Sequence, residues 1–330
     1  MENVSDVYKR LFHYTTWNGL MGILDSHSLW ATHYKFLNDS SEIILFKDKL
    51  LELLLPRMLD FYKERISNTP KAKAIIDQNG GVERAIETMT KHYIDAQYKV
   101  LDKISGGIYI TSLCGEHKEK DDYINQNGLL SQWRGYALDG GYAIEFEAEK
   151  LEEACRLEVS KYEYSHSRMC DLIYSDNDLA TEELNEQVEH IFKFYIEASR
   201  IASSNSEELP DAEQSLPAFV NCITRYKHRG FKEENEVRIV KSPVLFTKEF
   251  LEAWKEENHV PTSEKTIRFR EKNGIQIPYI ELFDSQDIKL PIKRIIVGPH
   301  KDKNARAASL EVMLKKTDIK ITVSDIPYIS

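Results

Sequence analysis

The chain has 330 residues, room for roughly two domains of about 150 residues each or for one large domain with insertions. Hydrophobic residues make up 42% and aromatics 10%, enough for a sizeable core, which excludes a disordered tail. Lys+Arg number 44 against 54 Asp+Glu, so the net charge is −10. That argues against a protein coating nucleic acid nonspecifically, because such binding rests on a positive excess facing phosphates; a local basic groove stays open.

No apolar run approaches the ~20 residues of a membrane span, and the opening MENVSDVYKR lacks the apolar stretch of a signal peptide. The expectation is a cytoplasmic protein with no membrane partner. Cys114, Cys155, Cys170 and Cys222 form no CxxC pair, so neither a thiolate zinc site nor a disulfide framework is expected. The histidines give no HExxH or HxH, and GxxxxGK[ST], GxGxxG and GxSxG are absent.

In chain order, Leu11 to Thr15 reads as a strand, and Thr16 can cap a helix through about His27 with Leu20, Ile23 and Leu24 on one face. Leu29 to Tyr34 reads as a second strand. A long amphipathic helix then runs to about Arg65, apolar at Ile43, Phe46, Leu50, Leu54 and Met58. Residues 70–104 look helical and polar, ending at Gly106-Gly107. Ile108 to Leu113 is a core strand, Gly115 to Gly128 a charged loop, and Leu129 to Ala137 a short helix. A Gly140-Gly141 turn leads to Tyr142–Phe146, whose alternation predicts a strand with one wet face. Residues 179–203 read as a helix and 203–215 as a loop. Strands follow at Glu236 to Val240, Thr266 to Phe269, Ile277 to Phe283 and Ile292 to Val297, then a helix at about Asn304 to Lys315 and a strand at Ile319 to Val323. The predicted fold is α+β, a mixed or largely antiparallel split sheet with a helical layer. One large domain, 1–330, is expected, with a helical insertion at about 40–104 and a second helical segment at about 179–227.

Four segments concentrate polar groups. His13 and Thr15 share a strand face around Tyr14 and can hold a ribose or phosphate; a core histidine bonded to a carbonyl explains the same pattern. Asn38 and Asp39 can line a site, while Asp39 and Glu42 also have capping-box spacing. Tyr109 lies on the GIYITS strand; Trp133 and Tyr136, at i and i+3, either pack in a core or stack on a flat ring. In a strand, Glu234, Glu236 and Arg238 share a face. They form either a solvated row of charges or a carboxylate held by Arg238 inside a cleft, suited to a cationic sugar transition state. The basic stretches Tyr226–Arg229 and Arg268–Arg270 can receive an anion or be ordinary surface.

Taken together, His13-Tyr14-Thr15, Leu37-Asn38-Asp39 with Glu42, Trp133 to Ala137 before Gly141, Glu234 to Arg238, and Ile292 to Gly298 resemble a bacterial family of domains of unknown function met near mobile elements and defence genes. More distantly, the HYT strand, the GIYIT strand, the helix with a late Tyr and the late Glu strand resemble the His-Tyr-Glu arrangement of ADP-ribosyltransferases. That resemblance implies that His13 holds the ribose of NAD, that Tyr136 or Trp133 stacks on nicotinamide, and that Glu236 favours the cationic transition state. Glu234 would orient an acceptor. Tyr14 stands where the superfamily carries a small residue, and a long helical stretch separates the first strand from GIYIT.

The resemblance implies a toxin or phage-defence effector passing ADP-ribose from NAD, its substrate, to nucleic acid or protein, with no metal and with an antitoxin or sensor as partner. Two other readings stand beside it. One is a nucleotide-binding or sensing module that does not turn its ligand over. The other is a hydrolase or nuclease with Asp39, Glu42, Glu234 and Glu236 around a divalent ion.

Overall fold

In the computed structural model, which describes residues 3–37, 41–67, 76–77, 80–118, 122–175, 182–204 and 215–327, the opening HYT run is a strand. The elements in chain order are α1 (Val4–Val7), β1 (Arg10–Thr15), α2 (Trp17–Ser26), β2 (Leu29–His33), α3 (Ser41–Ser67), α4 (Gly81–Ser105) and β3 (Tyr109–Gly115). Next come α5 (Tyr123–Asn127), α6 (Leu130–Tyr136), β4 (Tyr142–Glu147), α7 (Ala148–Lys161), β5 (Tyr164–Asp171), β6 (Ile173–Ser175), α8 (Glu182–Ser204) and α9 (Ser215–Arg225). The last are β7 (Tyr226–His228), β8 (Glu236–Pro243), α10 (Lys248–Glu256), β9 (Arg268–Lys272), β10 (Ile275–Leu282), β11 (Ile292–Val297), α11 (Lys303–Met313) and β12 (Lys320–Val323).

The chain divides into two compact units. The first comprises Met1–Phe36, Ile108–Leu172 and Arg229–Ser330; the second comprises Leu37–Gly107 and Ile173–His228. Helices from both expected helical segments fall in the second unit. The class is α+β with a mixed sheet: β11 and β12 are parallel, and the other pairings in the large sheet are antiparallel.

The sheet of the first unit runs β12-β11-β4-β1-β3-β2-β10-β9, with β8 on the second edge of β3 and β5 beyond β8. Its central feature is how β3 shares one edge. β1 pairs with the end of β3 at Leu11↔Gly115 and Phe12↔Cys114, whereas β2 pairs with its start at Thr32↔Ile110 and His33↔Tyr109. Between those two pairings the edge opens, while β8 stays paired from Tyr109 to Cys114 on the other side. The sheet is split there.

Alternation sorts the side chains. Leu11, Leu113, Val237, Ile144 and Leu29 enter one core with Leu20 and Ile23 of α2 and Leu151 of α7. Phe12, Tyr14, Cys114, Ala143 and Ile296 enter a second core under Trp133 of α6. Because both faces of β4 meet a core, Tyr142 to Phe146 are all buried, and the expected wet face is absent. Glu145 is the cost of that arrangement, offset by a 2.7 Å bond from Arg294 Nε. The polar strand β5, which pairs with β8 along Tyr164–Asp171, and the amphipathic helices α7 and α10 were not foreseen.

In the second unit, Phe46, Leu50, Leu54 and Met58, four residues apart along α3, are all fully buried, as helical periodicity demands. Tyr195 of α8 stacks on Tyr93 of α4 with ring centroids 5.1 Å apart, and its hydroxyl donates to Gln97 Oε1 at 2.6 Å. Gly106, in the left-handed region at φ 59°, caps α4. Asn38, Asp39 and residues 205–214 lie outside the described residues, as does the side chain of Glu42. Among the described residues, no helix is long and apolar enough to cross a membrane.

Candidate functional site

Ser112 is exposed although it sits in the middle of β3, a strand otherwise buried on both sides. A central strand exposes a side chain only where nothing lies over it, so Ser112 marks an opening at the split. On one side of that opening stands β1. His13 Nδ1 lies 3.1 Å from the Ser112 carbonyl oxygen. A carbonyl only accepts, so Nδ1 carries the proton and the neutral ring presents Nε2 as an acceptor. Burial, which favours the neutral ring, holds the His13 pKa below the usual histidine value, partly opposed by that hydrogen bond.

On the other side stands β8, with Arg238 directly across from Ser112 and Glu236 across from Cys114. Arg238 Nε donates to Glu236 Oε1 at 2.7 Å and Nη2 to Oε2 at 3.3 Å, a forked pair. Both are buried, at 6% exposure for Glu236 and 3% for Arg238, so a solvated row of charges is excluded. Burial pushes the Cys114 thiol up to about 12, with the charges of Glu234 and Glu236 adding to the effect. Alternation gives His13 and Glu236 opposite faces of the sheet, and the split brings both strands beside Ser112. The exposed hydroxyl of Ser112 was missed as a site group, because a serine in GIYITS reads only as part of a core strand.

Glu234 does not share the strand. It ends a 3-10 turn over Arg229–Glu234, and Asn235, at φ 46°, breaks the alternation before β8 begins. Asn235 is a clamp. Its carbonyl accepts from Gly115 N at 2.7 Å, its Nδ2 donates to the Glu116 carbonyl at 3.0 Å, and its Oδ1 accepts from Tyr8 at 3.0 Å. The first residue of β8, Glu236, is thereby held at the level of Phe12 and Cys114.

The aromatic candidates separate. Trp133 is 1% exposed, edge-on to Tyr14 at 4.9 Å, and its Nε1 donates to the Asn127 carbonyl at 3.0 Å. Its indole is so enclosed that a Cβ at Gly128 would meet it at 2.5 Å. Trp133 is a core residue. The Tyr14 hydroxyl accepts from Leu129 N at 2.8 Å, and its ring fills the same core, which accounts for a large residue after His13. Tyr136, one helical turn beyond Trp133, is 37% exposed. Tyr109 is buried in the other core against His33, and burial pushes its hydroxyl up to about 12. Asn38 and Asp39 lie outside the described residues, among which no three His, Cys, Asp or Glu side chains converge as metal ligands.

Beyond the end of β1 lies a cleft of about 520 Å³, lined by Thr16, Trp17, Asn18, Asp139, Tyr142 and Arg306 among others. Thr15 pairs with Tyr142, so both face the same side as His13. Thr16 caps α2 by accepting from Gly19 N at 3.3 Å. Trp17, 43% exposed, tilts over Tyr142 at 5.7 Å. Arg306 Nη2 donates to Asp139 Oδ2 at 3.0 Å and holds that carboxyl below its usual range, with His300 Nε2 3.2 Å from the other oxygen. These residues come from three distant parts of the chain, and no local pattern announces them.

Residues 132–239 match the model of a family described as a protein of unknown function, DUF2971. The matched stretch contains Trp133, Tyr136, Glu234, Glu236 and Arg238, while His13 and Ser112 lie before it. No curated protein and no solved structure matches the chain significantly.

Proposed function

We propose that the first unit is an NAD-dependent ADP-ribosyltransferase-like body that binds NAD at the split and passes its ADP-ribose to an acceptor. The observation that carries this reading is the opening at Ser112, bordered by His13 on β1 and by Glu236 and Arg238 on β8. The three strands bearing the resemblance, β1, β3 and β8, lie side by side.

In this reading His13 Nε2 accepts from a ribose hydroxyl. Glu236, held rigid by Arg238, supplies negative charge beside the ribose as the nicotinamide–ribose bond breaks and C1′ becomes cationic. The bond to nicotinamide is replaced by one from the acceptor nucleophile, whose proton leaves as the new bond forms. Two residues along β1 from His13, about 7 Å, Thr15 leads into the cleft. There Arg306 suits the pyrophosphate and the exposed ring of Trp17 a base. Glu234, in the turn before β8, is assigned the acceptor. A toxin or defence role, with an antitoxin or sensor partner, belongs to the same proposal.

A second reading, binding without turnover, is favoured by one observation: the Glu236 carboxylate is already engaged by Arg238. Release of nicotinamide from NAD decides between them. Wild type is expected to release it and Glu236→Gln to lose release by at least 100-fold while still binding NAD, an effect on the scale of removing a transition-state contact. Binding with no release in the wild type would establish the second reading, and absence of both would overturn the proposal.

A further inference from the structure

The sheet face on which Ser112 opens continues outward across β2, β10 and β9. Thr32 pairs with Ile110, two residues before Ser112, and Tyr279 pairs with both Thr32 and Arg268. Glu281 pairs with Trp30, and Arg270 with Ile277. Trp30, Thr32, Tyr279, Glu281, Arg268 and Arg270 therefore share the face of Ser112, while Leu29 and Ala31 enter the core beneath. Arg270 lies three strand spacings from β3, about 15 Å away.

Trp30 is 39% exposed in mid-sheet, with its ring 4.4 Å from that of Tyr279 and 5.4 Å from the Arg270 guanidinium. Arg270 Nη2 donates to Thr32 Oγ1 at 3.1 Å, and its Nε is buried without a hydrogen-bond partner. Among the described residues no carboxylate pairs with Arg270, whereas Arg268 is paired to Glu281 at 3.1 Å. A half-buried cation beside a partly exposed indole favours an anionic ligand. An exposed flat ring beside it asks for a flat, apolar ligand face. A base joined to a phosphate supplies both at this spacing.

We propose that Trp30, Arg268 and Arg270, backed by the buried Thr32 and Tyr279, form a docking platform for single-stranded nucleic acid, the acceptor for the reaction at the split. A base stacks on Trp30 and a phosphate meets Arg270. The strand is single because a duplex keeps its base faces covered. The platform is small, in keeping with a chain of net charge −10 that cannot coat nucleic acid. The assignment as acceptor rests on the reading of the split as an NAD site; the binding itself does not.

The test is fluorescence anisotropy of a labelled oligothymidylate and oligouridylate, with the corresponding duplexes and a polyglutamate peptide as comparisons. The single strands are expected to bind more tightly than the duplexes or the peptide. Trp30→Ala and Arg270→Gln should each weaken binding about tenfold, as loss of one stacked base or one phosphate contact does. Arg270→Gln should also reduce the slope of log affinity against log salt by about 0.7. Melting temperatures exclude unfolding, and Arg268→Gln supplies a second variant on the same face. Equal affinity for polyglutamate, or unchanged binding in both variants, would overturn the platform. Nicotinamide release without acceptor should be the same in Arg270→Gln and wild type. Its absence from both, with the oligonucleotide still bound, would overturn the transferase reading and the assignment as acceptor and leave the platform standing.

Discussion

Glu236 and Arg238 are two positions apart on a strand, so their side chains leave the same face and can meet in a fork. Burying that pair costs desolvation energy, and removing one partner leaves a buried charge uncompensated. Arg238→Met and Glu236→Gln each remove one charge of this buried pair and are each expected to lower stability by about 3–5 kcal/mol in urea titrations. Losses below about 1 kcal/mol for both would contradict the pairing. His166 gives a pH dependence. Burial, reinforced by the charges of Arg168 and Lys241, lowers its pKa from 6.5 to about 4, and its Nε2 is buried without a hydrogen-bond partner. Between those values the unfolded chain binds the proton and the folded one does not, so stability falls as pH drops from about 6.5 towards 4. His13, shifted in the same direction, adds to the slope. Thermal melts of His166→Gln should show a flatter decline over that window; an unchanged slope would assign the effect elsewhere.

At the scale of elements, what could be read from the sequence depended on how local the cause was. β1, β2, β3 and β11 are short stretches of mostly apolar, aromatic or β-branched residues, and α3 repeats its apolar residues at helical spacing; both signals are carried by neighbours in the chain. β5, YSHSRMCD, has no such signal, since its stability as a strand comes from pairing with β8. The site divides the same way. His13, Glu236 and Arg238 stood out as polar groups in strands, whereas the exposure of Ser112 follows from the sharing of one β3 edge by β1 and β2, a fact of topology. Two element-scale outcomes check the structure. Thr16→Ala removes the cap of α2 and should cost about 1 kcal/mol. Gly298→Ala should prevent soluble expression or cost more than about 4 kcal/mol, because its Cβ would come within 1.7 Å of the Gly140 carbonyl oxygen. A fully stable Gly298→Ala protein would mean that the Gly140–Gly298 approach is wrong.

For the molecule as a whole, the sheet of the first unit assembles chemistry from residues far apart in sequence. β1 brings His13, β3 the floor at Ser112, and β8 the carboxylate–arginine pair. The residue class at each place was readable; the adjacency was not, because sheet order is set by long-range packing. The central claim is that NAD enters at the opening over Ser112, and a side chain that fills the opening tests it most directly. Ser112 is exposed, so Ser112→Phe should fold with an unchanged melting temperature. Calorimetric titration with NAD should show binding to wild type and its loss in Ser112→Phe. Equal affinity of the two proteins for NAD would place the nucleotide elsewhere and contradict the account.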